Sequence, residues 1–173
     1  MMWKVIQVKT GEEINIMEKL LSFGLGAVVP IENRLIRSGG DWTKKPYVIF
    51  TGYVFIDMDY NADNYYTVKG IPGVVQFLEG TLTYLEAEQI RLLSGYGAGM
   101  LEPSVVRQTE DGWEIVSGIL KRLENYEIKI DKRSRKASFE MMLNGQKKKV
   151  SLSVQIEGDT EQDNKQEADE AQD

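Results

Sequence analysis

The strongest hydrophobic pattern in the chain lies at residues 47–58, where we predict a strand. Successive side chains of a strand point to opposite sides, so Tyr53 and Phe55 share one face while Val54 and Ile56 share the other. Both faces are therefore apolar. Such a strand is either covered on both sides or covered on one side and available to a partner on the other.

The rest of the first 94 residues predicts alternating strands and helices. Apolar residues recur at helical spacing after the first strand, and Thr83 with Glu86 forms a capping box before the last helix. We expect further strands at residues 3–8, 27–31 and 74–78, and helices at residues 13–23, 63–69 and 84–93. The order strand-helix-strand-strand-helix-strand-helix is that of a ferredoxin-like α/β sandwich, an α+β fold.

A polar excursion over residues 34–46 separates two of these strands. It holds Arg37, a Gly-Gly pair, Trp42 and the basic pair Lys44 and Lys45. Segments of this kind carry function more often than the elements they join, so it is a candidate contact loop. A tryptophan beside two lysines would suit a stacking-plus-charge contact with RNA.

The remainder of the chain has a different character. Short alternating runs separated by turns such as Asn144-Gly145 predict a small β-barrel of four or five strands. The last residues lack large apolar side chains and carry many like charges, which is typical of a disordered segment. The predicted organisation is an N-terminal domain, a Gly-rich linker, a barrel and an acidic tail, over residues 1–94, 95–103, 104–156 and 157–173.

The composition excludes several classes of chemistry. The 173 residues include no cysteine and no histidine, which removes disulfides, thiolate nucleophiles and the usual neutral-pH base. A hydrolase built on paired carboxylates remains an alternative, but Asp57, Asp59 and Asp63 fall at a strand end and in a turn. We predict no catalytic residue, no metal site and no cofactor.

The chain also lacks the patterns that direct a protein to a membrane. The longest apolar-leaning stretch, residues 20–31, is interrupted by Ser22, two glycines and Pro30, and is far too short to span a bilayer. The first residues lack the basic start and continuous apolar run of a signal peptide. We expect a cytoplasmic protein with no membrane partner.

Charge is segregated along the sequence. The formal charge is −3 over residues 1–103, +4 over residues 104–156 and −7 over residues 157–173. Two basic runs lie in the predicted barrel, and with the loop lysines they give the candidate RNA-binding residues Lys132, Arg133, Arg135, Lys136, Lys147, Lys148, Lys149, Lys44 and Lys45. Charge runs are often only solvated surface, so that interpretation stays open beside the RNA-binding one.

Taken in order, several segments resemble the NusG family of transcription factors. Residues 3–8, 50–56 and 71–78 and the helix that opens at Thr83 are similar to its N-terminal domain, and residues 117–125 and 130–137 are similar to its KOW barrel. The resemblance implies a factor that rides on RNA polymerase and grips the clamp helices of the largest subunit. The positions that match this grip are Phe50 and Tyr53, with Trp3 nearby on the first strand.

The sequence departs from the family pattern at five positions. The family usually has proline where Thr51 and Ile119 stand, glycine where Arg122 and Asn125 stand, and an aromatic residue in its housekeeping members where Val154 stands. These members recruit ribosomal protein S10 or the termination factor Rho through the barrel. The departures favour a specialised paralogue similar to the LoaP antiterminators, which recognise RNA on particular operons, and we expect a monomer.

Two other functions stay open at this point. One is a housekeeping NusG that couples polymerase to ribosomal protein S10 or Rho. The other is a general RNA-binding protein with a domain like an RNA-recognition motif, because residues 52–56 resemble its aromatic octamer. That octamer begins with a basic residue, which is missing here, and Val54 stands where glycine or alanine is expected.

Overall fold

The computed structural model describes residues 2–95 and 99–158, which fall into two compact units. Of these residues, the first unit contains 2–31, 48–95, 99–100 and 142–148, and the second contains 32–47, 101–141 and 149–158. Neither unit is one continuous stretch, and the predicted domain boundaries stay predictions. The predicted acidic tail, apart from its first two residues, and residues 96–98 of the predicted linker lie outside the described residues.

Three α-helices, eleven strands and one 3-10 helix are assigned in the described chain. In order they are β1 (Met2–Val8), α1 (Glu13–Ser22), β2 (Gly26–Val28), β3 (Ile31–Ser38), β4 (Asp41–Val48), β5 (Tyr53–Met58), α2 (Ala62–Lys69), β6 (Val74–Phe77), α3 (Tyr84–Leu93), β7 (Ser104–Thr109), β8 (Gly112–Ser117), the 3-10 helix (Ile119–Leu123), β9 (Lys129–Asp131), β10 (Lys136–Leu143) and β11 (Gln146–Ile156).

A four-stranded sheet in the order β2-β5-β1-β6 organises the first unit. Each neighbouring pair is antiparallel, and the register places Val5 opposite Phe55 and Gln7 opposite Tyr53. All three predicted helices are present, and Thr83 and Glu86 form the predicted capping box at the start of α3. The predicted α+β class is therefore confirmed.

One face of this sheet forms the principal core of the first unit. Val54 and Ile56 from β5 are fully buried with Ile6 from β1, and α1 and α2 cover them. The residues of this core are Ile6, Val8, Ile16, Leu20, Ala27, Val29, Val54, Ile56, Met58, Val68 and Ile71. The other face of β5 carries Tyr53 and Phe55, as the alternation predicts.

The predicted strand over residues 47–58 is wrong in its length, because a turn divides it. β4 ends at Val48 and β5 begins at Tyr53. Between them Gly52 adopts φ +84°, a conformation that glycine tolerates and other residues rarely adopt. The Gly52 carbonyl accepts a hydrogen bond from the Val8 amide at 2.8 Å, and its own amide donates to Glu13 Oε1 at 3.1 Å.

The second unit contains a hairpin and a larger sheet. The predicted polar excursion is wrong as an irregular loop, because β3 and β4 pair in a two-stranded sheet around a turn at Gly39 and Gly40. The larger sheet has the order β8-β7-β11-β10-β9, which agrees with the predicted small β-barrel. Strand β7 was not predicted from the sequence. The predicted tight turn is present, because Asn144 and Gly145 adopt left-handed conformations.

We predict that Glu13→Ala destabilises the protein by roughly 2–4 kcal/mol, because it leaves the buried Gly52 amide and the part-buried Gly11 amide without their acceptor. Glu13 is only 3% exposed and accepts hydrogen bonds from the amides of Gly11 and Gly52. Urea unfolding measures the change. Glu18→Ala, an exposed carboxylate on the same helix, is the matched control. Equal stability of the two variants would contradict the role given to Glu13.

We predict that Gly118→Ala destabilises the barrel by about 2–4 kcal/mol, from backbone strain and overpacking together. Gly118 has φ +100°, and a Cβ there would lie 2.5 Å from Ser104 Oγ and 2.6 Å from Ser104 Cα. Urea unfolding followed by tryptophan fluorescence tests this. Gly112→Ala, with φ +139° and nothing within 4 Å of its Cβ, isolates the strain alone and is expected to cost less. A smaller loss in Gly118→Ala than in this control would refute the steric argument.

Candidate functional site

Tyr53 lies half-buried at the edge of a groove of about 410 Å³ in the first unit. Apolar side chains from β1 and from the residue that follows β6 share the groove with polar groups. The lining residues are Val5, Tyr53, Leu78, Glu79, Leu143, Asn144, Gly145, Gln146 and Lys148. The arrangement offers a ring and an apolar floor to a partner, with polar groups at the rim.

The two aromatic residues predicted beside Tyr53 differ in accessibility. Phe50 is only 7% exposed and packs edge-on against Phe55, with ring centroids 5.5 Å apart. Trp3 is half-buried, and its pairing opposite Asp57 places it on the same face of the sheet as Tyr53. Tyr53 and Trp3 therefore offer surface to a partner, whereas Phe50 is buried against Phe55.

Residues 143–146 and Lys148 supply part of the wall of this groove. Lys148 Nζ lies 5.1 Å from the centroid of the Tyr53 ring, within cation-π range. Asn144 Nδ2 donates a hydrogen bond to the Glu79 carbonyl at 2.9 Å. The predicted run of three RNA-binding lysines is thus divided, since Lys148 lies at the Tyr53 groove while Lys147 and Lys149 are exposed.

A second candidate site lies in the second unit, where basic side chains surround Trp42. A cavity of about 390 Å³ is lined by Arg37, Trp42, Lys132, Arg133 and Arg135, which we call the Trp42 cluster. Arg135 Cζ lies 4.2 Å from the Trp42 ring centroid, and Arg37 Cζ lies 5.9 Å from it. The cavity combines a planar ring with four cations, a combination suited to an anionic ligand.

The turn that carries three of these cations is held by Asp131. Its Oδ1 accepts hydrogen bonds from the amides of Arg133, at 2.9 Å, and Ser134, at 3.2 Å. The bond from Ser134 contributes most to lowering the pKa of the Asp131 carboxyl below its usual value. Arg135 follows with φ +52°, so the backbone itself directs this side chain.

The other predicted RNA-binding residues do not line the cavity. Lys44 Nζ pairs with Glu102 Oε2 at 3.0 Å, and hydrogen bonds from Lys44 and then from Asn33 lower the pKa of the Glu102 carboxyl. Lys45 is exposed on β4, and Lys136 is half-buried at the start of β10.

Sequence reasoning did not select Arg37 as a site residue. The usable signal was its place beside Trp42 across the Gly39-Gly40 turn, because a hairpin brings residues on either side of its turn together. Recognising the hairpin required reading residues 31–48 as two strands, and the polar composition of β4 obscured this.

The described residues show neither a metal-ion cluster nor a membrane-spanning helix. No cluster of three or more acidic, cysteine or histidine side chains arranged to hold a metal ion occurs among them. No helix in this part of the chain has the length and apolar character needed to cross a membrane.

Comparison with solved structures shows the fold of the chain. NusG from Thermotoga maritima, described in a study of its domain interaction, matches with a TM-score of 0.55 and 23% identity over 88% of this chain and 93% of that one. A chain of an Spt4 heterodimer complex from Methanococcus jannaschii matches with a TM-score of 0.33 and 19% identity over 52% and 95%. The match to the Thermotoga protein supports the fold.

Comparison with sequences shows the family. No curated protein matches the chain significantly. The family model described as transcription termination factor nusG matches residues 1–94, the region that contains β1 to α3 and the Tyr53 ring. Because this match covers more than half of the 173 residues, the chain belongs to the NusG family of transcription factors.

Proposed function

We propose that this protein is a transcription elongation and antitermination factor that docks on RNA polymerase through the groove beside Tyr53. The observation that carries the proposal is the half-exposed Tyr53 ring above an apolar floor, within the region that matches the NusG model. The partner surface is the pair of clamp helices of the largest polymerase subunit, as the family resemblance implies.

The chemistry of the groove suits a helical partner. Leu78 gives apolar contact, with the buried Val5 in the floor of the groove, and the Tyr53 ring adds aromatic area with few rotatable bonds. Covering the exposed part of this half-buried ring, at most roughly 80 Å², yields a gross gain of roughly 2 kcal/mol, most of which association costs offset. Further contacts are therefore needed, and Trp3 on the same face of the sheet is placed to supply one.

Phe50 and Lys148 act on this contact in different ways. Phe50 lies beneath the surface against Phe55, so it contributes by holding the Phe55 ring in place. A direct contact with polymerase would require docking to uncover Phe50. Lys148 lies over the Tyr53 ring, so a partner that covers the ring has to displace this cation or pack beside it.

We further propose that the basic residues of the chain contact nascent RNA while polymerase is bound. The proposal keeps Lys132, Arg133, Arg135, Lys136, Lys147, Lys148, Lys149, Lys44 and Lys45 as candidate contacts. A specialised, LoaP-like action on particular operons follows from the departures at Arg122 and Val154. Recruitment of ribosomal protein S10 or Rho through the barrel is the alternative. The factor is proposed to act as a cytoplasmic monomer.

We predict that Tyr53→Ala lowers affinity for RNA polymerase by about tenfold or more, since the variant lacks the central aromatic ring of the interface. Titration of polymerase with the labelled full-length chain measures this. Tyr66→Ala removes a ring that is 71% exposed on α2 and is the matched control, expected to bind like the wild type. Undiminished binding by a natively folded Tyr53→Ala variant would remove Tyr53 from the interface.

We predict that changing Lys147, Lys148 and Lys149 together to Gln weakens RNA binding and flattens its salt dependence. Each phosphate of single-stranded RNA that is no longer neutralised changes the slope of log affinity against log salt by about 0.7. Filter binding between low and moderate salt gives the slope. An unaltered slope would remove these three side chains from the RNA contact, with the docking proposal unaffected.

A further inference from the structure

The Trp42 cluster gathers four cationic side chains around one ring, with the Asp131 carboxylate in the turn that carries three of them. Four cations, Arg37, Lys132, Arg133 and Arg135, line one cavity with Trp42, and no carboxylate of the described residues lines it. Like charges gathered in this way favour an anion that neutralises several of them at once. The volume of about 390 Å³ falls within the range of ligand pockets and exceeds the needs of a single small ion.

The local structure holds the backbone of the turn that carries Lys132, Arg133 and Arg135. Asp131 holds the turn through the amides of Arg133 and Ser134, and Arg135 takes a left-handed backbone conformation that side chains other than glycine rarely adopt. Residues held in such conformations cluster at functional sites. In the β3–β4 hairpin, the Gly39-Gly40 turn places Arg37 near Trp42.

The Trp42 ring contacts one of the four cations, Arg135. The Arg135 guanidinium lies 4.2 Å from the ring centroid, close enough to occupy a face of the indole. A base could stack on that face only by displacing the guanidinium. The ring is therefore a positioning group that aims Arg135, whose planar fork matches two oxygens of a phosphate.

We infer that the Trp42 cluster binds the phosphodiester backbone of a nucleic-acid strand, with Arg37 and Trp42 as members of the site. This inference rests on the proposed RNA contact and states which residues make it and which part of the strand they bind. The cations pair with successive phosphates, Trp42 orients Arg135, and the base sequence is not read. Affinity then follows charge and salt, and oligo(U), oligo(A) and oligo(dT) bind with similar strength.

The test uses the full-length chain and twenty-nucleotide oligo(U), oligo(A) and oligo(dT), with no polymerase present. Removing two cations with Arg37→Gln and Arg133→Gln is expected to make the salt slope shallower by about 1.4. The matched control, Lys121→Gln with Lys129→Gln, removes two exposed cations from the same unit outside the cavity and leaves the slope unchanged. Equal slopes for the two double variants would overturn the inference.

The role of Trp42 needs its own variants, because a structural defect would also weaken binding. Trp42→Leu is expected to lower affinity about threefold to tenfold with the salt slope unchanged, because Arg135 is no longer oriented by the ring. Trp42→Phe, which keeps a ring, restores most of the affinity. A wild-type preference for oligo(A) that Trp42→Leu abolishes would show base stacking instead and overturn the inference. Polymerase titration involves no free RNA, so failure here is separable from failure of the docking proposal.

Discussion

The rest of the first unit depends on one buried carboxylate. Glu13, at the start of α1, accepts hydrogen bonds from the amides of Gly11 and Gly52, and so holds together the turn before the helix and the turn before β5. The Gly52 carbonyl in turn accepts from Val8 on β1. Since a strand alternates strictly, fixing the residue where β5 begins also fixes which side chains meet the helices and which face away. Tyr53 faces the groove because the turn ends at Gly52.

The two candidate sites follow different physical rules. The Tyr53 groove offers apolar area, and its binding energy comes from removing a ring from water against a complementary surface. The Trp42 cluster offers fixed positive charge, and its binding energy falls as salt rises. Salt titration therefore assigns a binding event to one site or the other without a mutation.

Prediction from sequence succeeded where one local signal decided the outcome. The capping box at Thr83 and Glu86, the helical spacing of α1 and the Asn144-Gly145 turn depend on neighbouring residues, and each is present. The division of the strand at Gly52 was missed, because only Glu13, far away in the chain, provides the acceptor that stabilises the turn.

Side-chain environments were harder to predict than elements. Phe50 and Tyr53 are both aromatic and adjacent to the same turn, yet Phe50 packs inward against Phe55 while Tyr53 lines the groove. Lys132, Arg133 and Arg135 were predicted from their charge, but their grouping with Arg37 and Trp42 required the β3–β4 hairpin. Pairing between distant segments leaves no signal within a single local window.

Photo-crosslinking from position 53 is the most direct test that Tyr53 contacts polymerase. A benzoyl-phenylalanine placed there keeps an aromatic ring at the groove and reacts only with groups within a few ångströms. The account predicts a crosslink to the largest subunit of RNA polymerase, with none from the same probe at the exposed position 66. Crosslinking from position 66 and none from position 53 would contradict it.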